Sequence, residues 1–203
     1  MPTIKAAEVT TKGREEEIKP LSPAEEAKKQ KIRSRIEEFE KRLPMRKLTI
    51  QEWVKVVTAG DEEAETISAQ QLISFLKILK DDGCWKSEGI LESSNIFATI
   101  LSECELLKDD DDSEKLNKNH LIVWGLLYCK SLPADKAKVL YDVLQSEGHE
   151  RIAACDKDLP KVFLRLLGLA TKVVNQYEPM VSGKDREFDD EFFSSFDKYQ
   201  DTI

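Results

Sequence analysis

The residues best suited to chemistry lie in the acidic stretch KDDDDSEKLNKNH, residues 108–120. Side-chain oxygens stand at alternating positions, on Asp109, Asp111 and Ser113, and Asn117 follows four residues later. Carboxylate, hydroxyl and amide oxygens with this spacing are ligands for a hard cation such as Ca²⁺. The alternative is a solvated acidic turn, because consecutive aspartates attract cations without forming a defined site.

A calcium-binding loop of twelve residues has oxygen ligands at positions 1, 3, 5, 9 and 12, glycine at position 6 and an apolar residue at position 8. With Leu116 at position 8, residues 109–120 supply the first four of these ligands. However, Glu114 stands at the glycine position and His120 at position 12. Glutamate resists a left-handed turn, and a neutral imidazole is a poor ligand for a hard cation. We therefore interpret this loop as a weak or lapsed calcium site.

An earlier loop has the same spacing but fewer ligands. With Ile67 at position 8, it runs from Gly60 to Gln71, with Ala64 at position 5. Of positions 1, 3, 5 and 12, only position 3, Glu62, therefore has a carboxylate, and we expect this loop not to bind calcium.

Two further candidate loops are less regular. Residues 145–159, with Ile152 at the apolar position, carry an insertion that takes the ligand positions out of register. Residues 179–203 would form only an incomplete unit.

The segments around these loops have the periodicity of helices. Apolar residues recur every three or four residues, and no long stretch alternates with a period of two. Helices are expected at 49–59, 68–80, 93–108, 117–130, 132–145 and 158–177. Thr49 and Glu52 form the pattern of a capping box at the start of the first. The sequence therefore predicts an all-α fold, with 117–130, apolar on nearly every side, as its most buried helix.

An amphipathic helix is expected before this body. Residues 1–20 are polar and predict an extended arm, after which Ser22 and Pro23 open a helix that ends at Pro44. Its apolar residues form a narrow seam of the coiled-coil type. The seam consists of Ile32, Ile36, Phe39 and Leu43. We expect it to bind a protein partner, and the alternative is that it packs on its own body.

A second amphipathic segment, residues 187–200, follows the body. Its stripe consists of Phe188, Phe192, Phe193, Phe196 and Tyr199. Because aromatic side chains anchor interfaces, the stripe either fills a groove of its own chain or reaches a neighbour. The expected organisation is an arm and helix at 1–44, a helical body at 45–178 and a C-terminal helix at 179–203.

With these loops and helices, residues 45–178 resemble the EF-hand superfamily, as two to three degenerate helix–loop–helix units. The segment LIVWGLLYCKSLPADKAKVLYDVLQ, residues 121–145, is similar to the centre of calcineurin-B-like and neuronal-calcium-sensor-like proteins. The resemblance implies loops paired through a short two-strand ribbon at position 8, and an apolar groove that accepts a helix.

Composition limits the class of partner and compartment. The net charge of −8 argues against nucleic acid, which requires a dense basic face. The chain shows no secretory h-region and no apolar run long enough to span a membrane, so we expect an intracellular protein that is not secreted. The cysteines are Cys84, Cys104, Cys129 and Cys155, without a C-x-x-C pair. We expect those in apolar patterns to be reduced and to act as small hydrophobic residues.

No catalytic motif is present: the sequence lacks a phosphate-binding glycine loop, a nucleophile elbow and a metalloprotease helix. We interpret His120 and His149 as surface or helix-cap residues. The sequence therefore predicts a non-enzymatic structural or adaptor subunit without a cofactor. The resemblance implies that it belongs to a larger assembly of proteins, cytoplasmic and of a cytoskeletal or ciliary kind. The alternative is a calcium sensor in which the loop at 109–120 switches partner binding, and an unrecognised helical enzyme is the third class.

Overall fold

The computed structural model describes residues 22–60, 64–81, 95–146 and 158–183. Within these ranges the chain forms seven α-helices and one two-stranded ribbon, so the predicted all-α class is confirmed. The helices are α1 (Pro23–Glu40), α2 (Ile50–Val57), α3 (Ala69–Asp81), α4 (Ile96–Glu103), α5 (Lys118–Tyr128), α6 (Pro133–Ser146) and α7 (Asp158–Ser182), and the strands are β1 (Thr66–Ile67) and β2 (Leu116–Asn117). None of the described helices is both long enough and apolar enough to cross a membrane.

Capping boxes fix the starts of α1 and α2 where the sequence predicts them. The backbone N–H of Ser22 donates to the Glu25 carboxylate at 2.8 Å, and the Glu25 N–H donates to the Ser22 hydroxyl. Thr49 and Glu52 exchange the same two hydrogen bonds at 2.7 and 3.2 Å. Each box satisfies N–H groups that have no partner within the first turn of a helix.

Helix α5 lies at the centre of the molecule, as its apolar sequence predicts. Nine of its eleven residues are buried, and it packs against α2, α6 and α7. On the α2 side, Trp53 donates its indole N–H to the carbonyl oxygen of Leu121 at 2.8 Å. The indole ring lies directly over Gly125, where an added Cβ would stand 2.2 Å from Trp53 Cδ1. The absence of a side chain at position 125 therefore sets how closely the two helices approach.

Helix α7 is longer than the sequence predicts, and the expected end at Tyr177 is wrong. The helix continues through Pro179 to Ser182 and ends at Gly183, which has φ +63° and donates its N–H to the Pro179 carbonyl. A residue before proline normally disfavours helix. Here Glu178 is held by two hydrogen bonds from Arg35 of α1, which supply the stabilisation that the local sequence lacks.

Replacement of Gly125 by alanine should strongly destabilise the protein. The new methyl group would overlap the Trp53 ring, and we expect the free energy of unfolding to fall by about 2–3 kcal/mol. Urea denaturation followed by circular dichroism measures this loss.

Gly168→Ala is the matched control, because among the described residues a Cβ there meets Leu106 Cδ1 alone, at an ordinary contact distance of 3.4 Å. Alanine favours helix over glycine by roughly 0.5–1 kcal/mol, so this variant should be neutral or slightly stabilised. Equal losses in the two variants would contradict the close approach of α2 and α5.

Candidate functional site

Two loops lie side by side at one end of the core. Strands β1 and β2 pair antiparallel, with Ile67 opposite Leu116 and Thr66 opposite Asn117. Ile67 and Leu116 are both buried, and they are the two residues that the sequence assigns to position 8 of their loops. The ribbon therefore joins the loop that follows α2 to the loop that precedes α5.

Hydrogen bonds within the chain close the loop at 109–120. Asp109 donates its backbone N–H to the Lys115 carbonyl at 3.0 Å, and Lys115 donates to the Asp112 carbonyl at the same distance. The Glu114 N–H donates to the Asp112 carboxylate at 3.1 Å, and this bond lowers the pKa of Asp112. The amide group of Asn117 donates to the Asp109 carboxylate at 3.1 Å. An N–H donor therefore occupies an oxygen that would be the first ligand of a cation.

A hydrogen bond joins two of the four predicted ligands, Asp109 and Asn117. Asp109 and Asn117 are half-buried and in contact, whereas Asp111 and Ser113 are exposed. In the described ranges, no group of three or more His, Cys, Asp or Glu side chains is arranged to hold a metal ion. Glu114 also lacks the left-handed turn expected of position 6, since only Gly60 and Gly183 have positive φ among the described residues.

His120 closes the far end of this loop and is buried, which corrects its interpretation as a surface residue. Its Nδ1 lies 3.0 Å from the Lys108 carbonyl, and its backbone N–H donates to the Asn117 side chain. Burial lowers the pKa of His120 to about 4, and the positive charge of Arg165 on α7 acts in the same direction. The imidazole is therefore neutral at pH 7, and we assign its proton to Nδ1 because a carbonyl can only accept. His149 lies outside the described residues.

The seam of α1 packs on the chain's own body, so Phe39 and Leu43 are not on a surface open to a partner. Both side chains are fully buried in the core, and Ile36 packs against it half-buried. Ile32 is also half-buried. Helix α7 packs against α1.

A buried ion pair fixes this contact. Arg35 donates from Nε and Nη2 to the two carboxylate oxygens of Glu178 at 2.8 and 2.7 Å, and Nη2 also reaches Ser182 Oγ at 3.3 Å. Sequence analysis did not single out this pair. The available signal was an arginine on the apolar seam, three residues after Ile32 and four before Phe39.

Helix α7 also covers α4 and α5, the two helices that flank the 109–120 loop. Its buried face consists of Val162, Leu169, Val173, Val174 and Tyr177. A face that could accept a helix is thus occupied by α7. The aromatic stripe at 187–200, the arm at 1–20 and most of the third candidate loop lie outside the described residues.

The buried thiols agree with the sequence interpretation where they can be seen. Cys104 and Cys129 are free and buried, and burial raises the pKa of Cys129 to about 12. A thiol with so high a pKa is a poor nucleophile at neutral pH.

No protein-family model matches this chain, and neither the curated proteins nor the solved structures include a match. The geometry of the paired loops and their covering helices is therefore the basis for a functional proposal.

The burial of neutral His120 predicts a loss of stability in mild acid. Unfolded histidine takes up a proton near pH 6.5, but folded His120 does so only near pH 4, so the unfolded state binds more protons between these values. We expect His120 to contribute a loss of about 2 kcal/mol in unfolding free energy between pH 7 and pH 4.5. His120→Asn keeps a donor for the Lys108 carbonyl but does not titrate. Urea denaturation across this range should show a shallower pH dependence for the variant, and identical slopes would contradict the prediction.

Removal of one partner from the Arg35–Glu178 pair should be costly. Glu178→Ala leaves a guanidinium that is about nine-tenths buried without its carboxylate, and we expect a loss of about 3 kcal/mol in urea denaturation. Lys41→Ala breaks the exposed pair with Glu38 and should change stability by less than about 0.5 kcal/mol. The double variant Arg35→Met/Glu178→Met should recover most of the lost stability, because it leaves no buried charge unpaired. A loss below about 1 kcal/mol in Glu178→Ala would mean that the pair does not hold α1 on α7.

Proposed function

We propose that this chain is a non-enzymatic, EF-hand-like structural or adaptor subunit whose loop pair is held closed by its own hydrogen bonds. The observation that carries the proposal is the Asn117–Asp109 hydrogen bond, together with His120 on the Lys108 carbonyl. These bonds stand where a calcium loop would place a cation and the carboxylate of position 12.

The ribbon supports the EF-hand-like part of the proposal. Helices α2 and α3 flank one loop, α4 and α5 flank the other, and the two position-8 residues face each other across the ribbon. This arrangement of helices can persist after the ligands are lost, because the core residues and the ribbon do not depend on an ion.

A module that no longer binds an ion can still bind protein partners through its surface, and the proposed adaptor role rests on this. The strongly ionic, acidic chain favours protein partners over nucleic acid. Membership of a cytoskeletal or ciliary assembly is proposed on resemblance alone.

A calcium sensor is the second candidate. It is favoured by Asp109, Asp111 and Ser113, which keep oxygen atoms at positions 1, 3 and 5 of a loop joined to a ribbon. In this role an ion would have to displace the Asn117 amide from Asp109, which makes binding weaker than in an open loop.

Calcium titration of the full chain distinguishes the two candidates. Isothermal calorimetry, with tryptophan fluorescence in parallel, should show no saturable binding up to millimolar calcium. Saturable micromolar binding that is lost in Asp109→Ala would overturn the adaptor proposal in favour of the sensor.

The double variant Glu114→Gly/His120→Glu tests the EF-hand-like assignment. It supplies the glycine of position 6 and the carboxylate of position 12, so we expect it to gain saturable calcium binding. Asp109→Ala in that background is the matched control and should abolish the gain. A double variant that remains folded by circular dichroism but does not bind would contradict the assignment of this loop.

A further inference from the structure

The first half of α1 is exposed around its whole circumference. Every residue from 22 to 31 is exposed, whereas Phe39 is fully buried. Arg35 bonds to Glu178 and Ser182 at the last turn of α7. The exposed residues of α1 therefore extend past the end of α7, by roughly 14 Å at 1.5 Å per residue.

This exposed half of α1 is basic. Lys28, Lys29, Lys31 and Arg33 follow one another within six residues, and the capping box already engages Glu25. Along one side of it lie Pro23, Glu26, Ala27, Lys29, Gln30 and Arg33. This side is thus positively charged overall and partly built from small or aliphatic groups.

The chain leaves α7 next to this surface. Gly183 ends α7 in the left-handed conformation, which turns the chain away from the helix axis. Twenty residues follow, and the first three, 184–186, can span up to about 10 Å. Because Ser182 bonds to Arg35, segment 187–200 begins within reach of the exposed half of α1.

The composition of segment 187–200 complements that surface. It contains five carboxylates, on Glu187, Asp189, Asp190, Glu191 and Asp197, and the single basic residue Lys198. Its aromatic residues at 188, 192 and 196 recur every four positions, as on one face of a helix. Aromatic rings pack well on the aliphatic stems of lysine and arginine and attract their charges. As a helix, the segment would be about 21 Å long, enough to cover the exposed turns.

We propose that segment 187–200 docks in cis on the exposed half of α1 and extends the α1–α7 pair. The face of α4 and α5 is already covered by α7, so the inner position expected for an aromatic helix is taken. The inference goes beyond the proposed function and does not depend on the state of the calcium loop. It identifies the exposed half of α1 as a surface that binds acidic, aromatic helices.

Hydrogen exchange of the full chain, read by mass spectrometry, tests this docking. Phe192→Ser/Phe196→Ser should speed exchange of the α1 amides between residues 25 and 33 by about tenfold, because these amides lose the protection of a docked helix. Lys28→Glu/Lys29→Glu/Arg33→Glu should do the same. The aromatic variant leaves the sequence of α1 unchanged, so faster α1 exchange in both variants reports lost docking and not a weaker α1 helix.

Lys55→Glu/Lys77→Glu/Lys138→Glu is the matched control, since it reverses three exposed charges elsewhere. It should leave α1 exchange unchanged, and unchanged exchange of α5 amides shows that each variant is folded. Unaltered α1 exchange in the aromatic variant would overturn the proposal. Protection of α1 that rises with protein concentration would also overturn it, because it would assign the docked segment to a second copy.

Discussion

The contact between Trp53 and helix α5 is the constraint on which the rest of the structure depends. The indole donates to the Leu121 carbonyl and rests on Gly125. These two contacts fix the position of α2 along the axis of α5 and the distance between the two helices. One end of α2 leads into the first loop, and the second loop leads into α5. Fixing these helices therefore fixes the two loops beside each other, and the pairing of Ile67 with Leu116 follows.

The loop at 109–120 shows how a chain can replace an ion by hydrogen bonds. A cation would hold Asp109 and position 12 together from the centre of the loop, whereas here Asn117 bonds to Asp109 and His120 bonds to Lys108. A hydrogen bond to a charged group contributes roughly 1.5–3 kcal/mol. An ion that binds at Asp109 would break the bond from Asn117 and would have to offset this contribution. The neutral ring of His120 occupies space at the position-12 end of the loop without adding charge.

Local physics made much of the fold predictable from sequence, and tertiary contacts account for the rest. The capping boxes at Ser22 and Thr49 and the all-α class each arise from signals within a few residues, whereas the pairing of the position-8 residues was expected from the family resemblance. The end of α7 and the burial of the α1 seam depend on Arg35 and Glu178, which are 143 residues apart. No local pattern encodes that pair, which is why the sequence pattern favoured a protein partner for the seam. The surface alternative for His120 is wrong for a similar reason, because its burial depends on packing that its neighbours in sequence do not show.

Helix α7 connects the covered face to the closed loop. Its residue Arg165 stands close enough to His120 for its positive charge to lower the pKa of that ring. The same charge would oppose any cation at the closing end of the loop, since like charges repel at short range. The Arg35–Glu178 pair holds the opposite end of α7 on α1. The covering helix and the closed loop thus stabilise the same state of the molecule.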